Sequence, residues 1–195
     1  MKTMGLFIVL ANALMAAPAN YVIQSSATAR LELGVEKTGL FSGKKHVFTF
    51  EKYKGALQFD AAAPEQSRVE LIIESASILC HDTWVNMKDL KSVTEWALKE
   101  MLMVDRNPTM TFRSTGIRKR ADGRFDVDGM LTIRGTPKPV NVVTTLHQDS
   151  DAKLTLEGTS IIRMTDWGMK PPTAALGAIG TKAEMPFKFN VTAEP

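Results

Sequence analysis

Cysteine is almost absent from the sequence, in which Cys80 is the only one among 195 residues. This excludes an internal disulfide, so the fold has to be stabilised by its hydrophobic core. A chain of this length can bury such a core within one domain.

Long apolar runs are also scarce. The run at 4–15 is shorter than the roughly 20 residues that span a bilayer. Lys2 precedes this run, and Ala17-Pro18-Ala19 follows it with the small-x-small pattern that signal peptidases cleave. We therefore expect residues 1–19 to be a cleaved signal peptide and residues 20–195 to form one periplasmic or secreted domain.

Neither sign of charge dominates the sequence. The chain has 24 Lys and Arg against 21 Asp and Glu, and without Lys2 the formal charge is +2. The positive residues are scattered and form no dense run interleaved with aromatics. This pattern argues against a nucleic-acid partner.

The dominant pattern is an alternation of apolar and polar residues, which is typical of β-strands. It recurs along nearly the whole of 20–195, and Ala121-Asp122-Gly123 separates two of the runs with the residues of a hairpin turn. Many such strands predict an all-β sandwich or barrel. The strands are expected at about 30–35, 45–50, 53–59, 69–74, 109–113, 124–134, 138–148, 153–164 and 184–193.

One segment follows a helical period instead. Apolar residues recur every three or four positions between Met87 and Val104. Ser92 and Glu95 match a capping box, which predicts that the main helix starts near Val93. Pro108 lies just beyond the segment and cannot continue a helix.

Residues with reactive side chains are few. Cys80-His81-Asp82 is the one compact group, and it allows two interpretations. Cys80 is either a nucleophile activated by His81 or a small buried side chain at a strand end; the second is favoured because neighbours on a strand point to opposite faces. The three residues also make a poor metal site. We expect no catalytic residues and no metal.

Arg163, Asp166 and Trp167 form a second notable group. Arg163 and Asp166 are placed to pair at a strand end, and Trp167 to cap the mouth of a barrel. A purely structural corner needs the same residues, so both interpretations remain open.

Several motifs together resemble the YceI-like family of lipocalin-like, polyisoprenoid-binding proteins. The two most specific are the P-x-x-x-F-x-S-T element at 108–115 and the G-x-L-T-I-x-G element at 129–135. Further matches lie at 21–23, 50–60, 75–78, 89–92 and 163–169. The sequence departs from the family pattern at Gln24, Ala27 and Thr28, where the family has an Asp and a His-Ser pair, and in a longer, more helical segment between Leu90 and Pro108.

The resemblance implies an extended antiparallel barrel of about eight strands with one short inserted helix. Its elongated cavity would hold an isoprenoid lipid or a quinone as ligand, with no other cofactor required. Apolar residues on one face of each strand are the expected wall, although ordinary core packing predicts the same residues. The candidates are Phe48, Phe50, Leu57, Phe59, Phe112, Phe125, Val127, Leu131 and Trp167.

Three functions are compatible with this sequence. The leading hypothesis is an exported carrier or sequestering protein for the lipid or quinone. An alternative is an accessory partner of a membrane redox or stress-response system, with the lipid as a structural cofactor. A lipid-modifying enzyme is the third; its nearest candidates are Cys80, His81 and His147. Contact with a membrane or a membrane protein, and a dimer, are left open.

Overall fold

Twelve β-strands and one helix are found in the part of the chain that the computed structural model describes, residues 18–150 and 152–195. The predicted signal peptide falls mainly on residues 1–17, which lie outside the described residues. The strands are β1 Ala19–Gln24, β2 Arg30–Gly39, β3 Lys45–Phe50, β4 Tyr53–Phe59, β5 Arg68–Glu74, β6 Ile78–Cys80, β7 Thr109–Lys119, β8 Phe125–Ile133, β9 Thr136–Ser150, β10 Lys153–Arg163, β11 Ile179–Thr181 and β12 Glu184–Glu194. Helix α1 spans Met87–Trp96 and continues as a π-helical turn over Ala97–Leu102.

The strands form a closed antiparallel barrel of eight long strands. Four of the long strands are interrupted, so that each is made of two consecutive shorter strands: β1 and β2, β3 and β4, β5 and β6, and β11 and β12. Each long strand pairs with the next along the chain, and β12 pairs back with both β1 and β2 to close the barrel. The predicted eight-stranded barrel is confirmed. None of the described helices is long and apolar enough to span a membrane.

Strand direction assigns every connection to one of two barrel ends. The helix end carries the β2–β3 turn, α1, the β8–β9 turn and the segment between β10 and β11. The distal end carries the β4–β5, β7–β8 and β9–β10 connections. The predicted hairpin at 121–123 lies at the distal end, where Gly123 has the positive φ of 83° that its turn requires.

Helix α1 begins one and a half turns before the predicted start. Asn86 caps the helix, because its side-chain oxygen accepts the Asp89 backbone N–H at 2.9 Å while its amide donates to the Asp89 carboxylate at 2.9 Å. Ser92, the predicted cap, lies within the helix and donates to the Lys88 carbonyl. The predicted start near Val93 is therefore wrong. The helix ends at Leu102, because Met103 adopts a left-handed φ of 51°, so Val104 of the predicted segment lies just outside it.

Candidate ligand-binding cavity

A cavity of about 500 Å³ lies inside the barrel. Its wall is formed by the inward faces of the strands and, at the helix end, by one face of α1. Eight of the nine predicted wall residues line it: Phe48, Phe50, Leu57, Phe59, Phe112, Phe125, Val127 and Leu131. Their contact with a ligand stays a prediction.

Phe112 owes its position on the wall to a glycine on the neighbouring strand. A β-carbon at Gly129 would lie 2.4 Å from two ring carbons of Phe112 and 2.7 Å from the Arg113 carbonyl oxygen. A side chain at residue 129 would therefore displace the ring. The glycine of the G-x-L-T-I-x-G element thus leaves the space in which the aromatic ring packs.

Trp167 does not line the cavity, so the structure corrects its predicted place on the wall. Its side chain is buried, and the indole N–H donates to the Leu131 carbonyl at 3.3 Å. The predicted pair of Arg163 with Asp166 is not formed either. Arg163 lies 3.3 Å from the Glu184 carboxylate, its direct cross-strand neighbour. The group therefore forms a structural corner after β10.

The sequence analysis did not assign helix α1 to the cavity wall. Val93, Trp96, Ala97, Met101 and Leu102 all line the cavity. Three of them belong to the apolar stripe that predicted the helix, and an amphipathic helix has to bury that stripe against something. The apolar stripe in the sequence indicates that one face of the helix is buried, but it does not show that this face lies over one end of the barrel.

Two titratable side chains, Lys37 and His46, are among the wall residues. Val35 lies opposite His46 in the β2–β3 ladder, which places Lys37 on the same inward face and nearer the helix end. The Lys37 ammonium donates to Thr181 Oγ1 at 3.4 Å. Burial lowers the pKa of Lys37, while the nearby Asp82 carboxylate opposes that shift. The cavity therefore has a cationic group in a mainly apolar wall.

His46 is held in a fixed orientation. Its Nδ1 bonds the Asp82 carboxylate, which also accepts the Val47 backbone N–H at 2.9 Å. The Asp82 side chain has 0% relative exposure, and the indole of Trp84 stacks on the imidazole with 5.2 Å between ring centroids. A carboxylate bonded to Nδ1 fixes the ring and directs Nε2 to the opposite side.

Cys80 and His81 do not come together as a catalytic pair. His81 Nε2 lies 2.6 Å from Thr49 Oγ1, whereas Cys80 groups with His46 and Asp82, with donor atoms of all three within 4.8 Å. These donor types can bind a metal, but His46 and Asp82 already bond each other. Burial raises the pKa of the Cys80 thiol to about 11, so the thiol is neutral at pH 7.

His147, the third candidate for an enzymatic site, lies apart from this group. It is exposed on β9 towards the distal end, whereas Cys80 and His81 lie at the helix end. The three enzymatic candidates therefore form no common site.

Comparison with protein families gives a match over nearly the whole described chain. A family model described as a YceI-like domain matches residues 21–193, which confirms the resemblance. A UPF0312 protein of Azotobacter vinelandii is 29% identical over 127 residues, covering 63% of this chain and 62% of that protein. Another, of Ectopseudomonas mendocina, is 28% identical over 142 residues and covers 70% and 69%. The matched region is thus slightly under two thirds of the first relative's length.

Solved structures share the fold. BcnA of Burkholderia cenocepacia has a TM-score of 0.64 at 21% identity, covering 83% of this chain and 95% of BcnA. A polyisoprenoid binding domain from Saccharophagus degradans, implicated in plant cell wall breakdown, has a TM-score of 0.62 at 11% identity and covers 89% and 97%. At these identities the likeness concerns the fold alone.

Proposed function

Because the chain belongs to the YceI-like family, we propose that its barrel binds an isoprenoid lipid or a quinone in the central cavity. The observation that carries this proposal is the cavity itself. Its volume of about 500 Å³ lies within the roughly 300–1,000 Å³ of small-molecule sites. The polyisoprenoid binding domain from Saccharophagus degradans has the same fold, which supports the choice of ligand class.

The lining of the cavity suits an apolar occupant, because most of the wall residues are aliphatic or aromatic. A ligand that lies against them buries its own apolar surface, which contributes roughly 25 cal/mol per Å².

The polar wall residues suggest how such a ligand is oriented. The isoprenoid tail would lie along the aromatic and aliphatic wall, and the headgroup would lie at the helix end beside Lys37 and His46. A quinone carbonyl or an acidic headgroup can accept a hydrogen bond from the Lys37 ammonium. Asp82 holds His46 so that Nε2 is left for the ligand.

The biological role that we propose is an exported carrier or sequestering protein in the periplasm or outside the cell. The apolar run at 4–15 and the small-x-small pattern at 17–19 support export. Cell fractionation and N-terminal sequencing test this part. A mature chain that starts near Asn20 agrees with it, whereas an uncleaved chain in the cytoplasm contradicts it.

The alternative, in which the lipid is a structural cofactor of a redox or stress-response partner, is favoured by one observation. Helix α1 covers the helix end of the cavity, and such a cover slows release. The two roles differ in how fast the bound ligand exchanges with membranes. A carrier transfers its ligand to acceptor vesicles within minutes, whereas a structural cofactor stays bound.

An enzymatic role receives no support from the candidate residues. Cys80 carries a neutral thiol at pH 7, and His81 and His147 lie at opposite barrel ends.

The binding proposal is tested by extracting the natively purified protein with organic solvent and analysing the extract by mass spectrometry. We expect a prenyl lipid or quinone at close to one molecule per chain. The lipid-free protein is then titrated with a short-chain prenylated quinone, with quenching of tryptophan fluorescence as the readout, because one of the three tryptophans, Trp96, lines the cavity. A native protein that is empty and also refuses the added quinone would contradict the proposal.

A further inference from the structure

Two loops at the helix end expose large apolar side chains. Leu40 and Phe41, in the β2–β3 turn, are 77% and 42% exposed, and Leu176, before β11, is fully exposed at 109%. Scattered apolar residues on a protein surface need no explanation, but three at one end of the barrel form a group. We call Leu40, Phe41 and Leu176 the docking tip.

The two loops are joined into one unit by the backbone. The Leu40 N–H donates to the Ala178 carbonyl at 3.0 Å, and Gly39 lies opposite Ile179 in the β2–β11 ladder. On the other side of the turn, the Phe41 ring lies 5.8 Å from that of Trp84, which stacks on His46. The docking tip is therefore fixed to the barrel, and it contacts the bonded pair of His46 and Asp82 beside the cavity through Trp84.

The backbone holds Leu176 in solvent despite an unfavourable conformation. Ala175 and Leu176 have φ of 49° and 55°, in the left-handed region that non-glycine residues rarely occupy. Gly177 follows with φ of 91°. A leucine that is both strained and fully exposed adds nothing to folding, and such outliers motivate a search for function.

The two segments that carry the docking tip are rich in lysine, and the acidic residues Glu36, Glu51, Asp166 and Glu184 flank them. Segments 37–50 and 167–183, which carry the tip, contain five lysines and no aspartate or glutamate. The lysines are Lys37, Lys44, Lys45, Lys170 and Lys182. Lys182 is paired with Glu36, while Lys44, Lys45 and Lys170 are exposed. Apolar side chains surrounded by lysines match the interface of an anionic bilayer.

We propose that the docking tip binds the surface of an anionic lipid bilayer, with Leu40, Phe41 and Leu176 entering the interface and the exposed Lys44, Lys45 and Lys170 contacting the headgroups. Pro172 and Thr173 belong to the same loop and line the cavity, as does Lys37. The docking tip therefore places the helix end of the cavity against the membrane. It is an inference about where the protein docks and does not depend on which molecule the cavity holds.

Vesicle co-sedimentation tests the proposal with the exported protein, because an uncleaved apolar run at 4–15 would itself bind bilayers. The wild type, a Leu40→Asp/Leu176→Asp variant and a matched Val22→Asp/Ile161→Asp variant are mixed with phosphatidylcholine vesicles that contain or lack phosphatidylglycerol. Val22 and Ile161 are 50% and 61% exposed on β1 and β10, so the control makes the same chemical change away from the docking tip. N-terminal sequencing checks that all three proteins start at the same residue.

We expect binding to anionic vesicles that weakens with salt, and a loss of at least about tenfold in the docking-tip variant alone. Equal loss in both variants, no loss in either, or wild-type binding that ignores phosphatidylglycerol would overturn the proposal. Circular dichroism checks folding, and a Leu40→Ser/Leu176→Ser variant replaces the aspartates if they prevent it. Quinone binding in solution, measured on the same proteins, separates a failure of docking from a failure of the cavity proposal.

Discussion

The same substitution at two buried leucines should have opposite effects if the barrel encloses open space. Leu57 is 3% exposed and lines the cavity. Leu154 is 0% exposed and is not among the wall residues that the structure describes. Replacing either by phenylalanine adds three carbon atoms at a site that is closed to solvent. The two variants therefore make the same substitution at a cavity wall and in a packed core.

The magnitudes differ enough to measure. At about 0.8 kcal/mol for each buried CH₂, Leu57→Phe can raise the free energy of unfolding of the lipid-free protein by up to about 2 kcal/mol. Leu154→Phe has no space to fill, and overpacking of this kind lowers the free energy of unfolding by about 1–3 kcal/mol. The two variants should differ by about 1–5 kcal/mol, which is the combination of both effects.

Urea unfolding of the lipid-free proteins gives the stabilities, and quenching of tryptophan fluorescence by a prenylated quinone gives the affinities. Leu57→Phe should weaken quinone binding because the added ring occupies the ligand's space. Leu154→Phe should leave the affinity of the folded fraction unchanged. If Leu57→Phe destabilises the protein as much as Leu154→Phe and binding does not change, the Phe-rich faces are ordinary core and the cavity argument is refuted.

Three further predictions concern single residues at the helix end. Burial lowers the pKa of Lys37, so the unfolded chain binds this proton more tightly than the folded chain. In urea unfolding, Lys37→Met should therefore raise the free energy of unfolding at pH 7, and this gain should fade as the pH rises towards 10.5; the same variant should bind the quinone more weakly. Cys80 has a raised pKa of about 11 and should react with iodoacetamide at pH 8 far more slowly than free cysteine; an equal rate contradicts its burial. Gly39→Ala puts a β-carbon 2.1 Å from the Ala178 oxygen at φ 68°, so it should cost at least about 1 kcal/mol more in urea unfolding than Gly43→Ala, which has φ 87° but no near neighbour.

The strands could be predicted from the sequence because their signal is local. A half-buried strand shows its inward face every second residue, as β8 does with Val127, Leu131 and Ile133. The wall residues were predicted from the inward faces that carry aromatic residues, and eight of the nine line the cavity. The prediction that Trp167 lies on the wall was wrong, because the residues around it fit a buried corner and a barrel mouth equally well.

The hydrogen-bonded pair of His46 and Asp82 beside the cavity could not be predicted, because the two residues are far apart in the sequence. His46 and Asp82 are 36 residues apart and meet only through the β3–β6 ladder. The sequence instead drew attention to His81, which follows Cys80 directly and faces the opposite side of the strand. The helix start was missed for a local reason, since Asp89 stands where a capping box usually has Glu or Gln, whereas Ser92 and Glu95 match the usual pattern.

The distribution of polar groups along the cavity gives the barrel a direction. Towards the distal end the wall is formed mainly by apolar residues such as Phe59, Phe125 and Leu146, whereas Lys37 and His46 lie towards the helix end. A partly buried lysine lowers stability and is not needed to close a barrel, which supports the proposal that Lys37 faces a ligand headgroup. In that proposal an amphiphile keeps its tail at the distal end of the cavity and its headgroup at the helix end. That end also carries Leu40, Phe41 and Leu176, so a protein docked as we propose holds the headgroup site next to the bilayer. A bilayer lipid points its headgroup at the docked protein and its tail away from it, so entry tail first requires the lipid to turn round between bilayer and cavity.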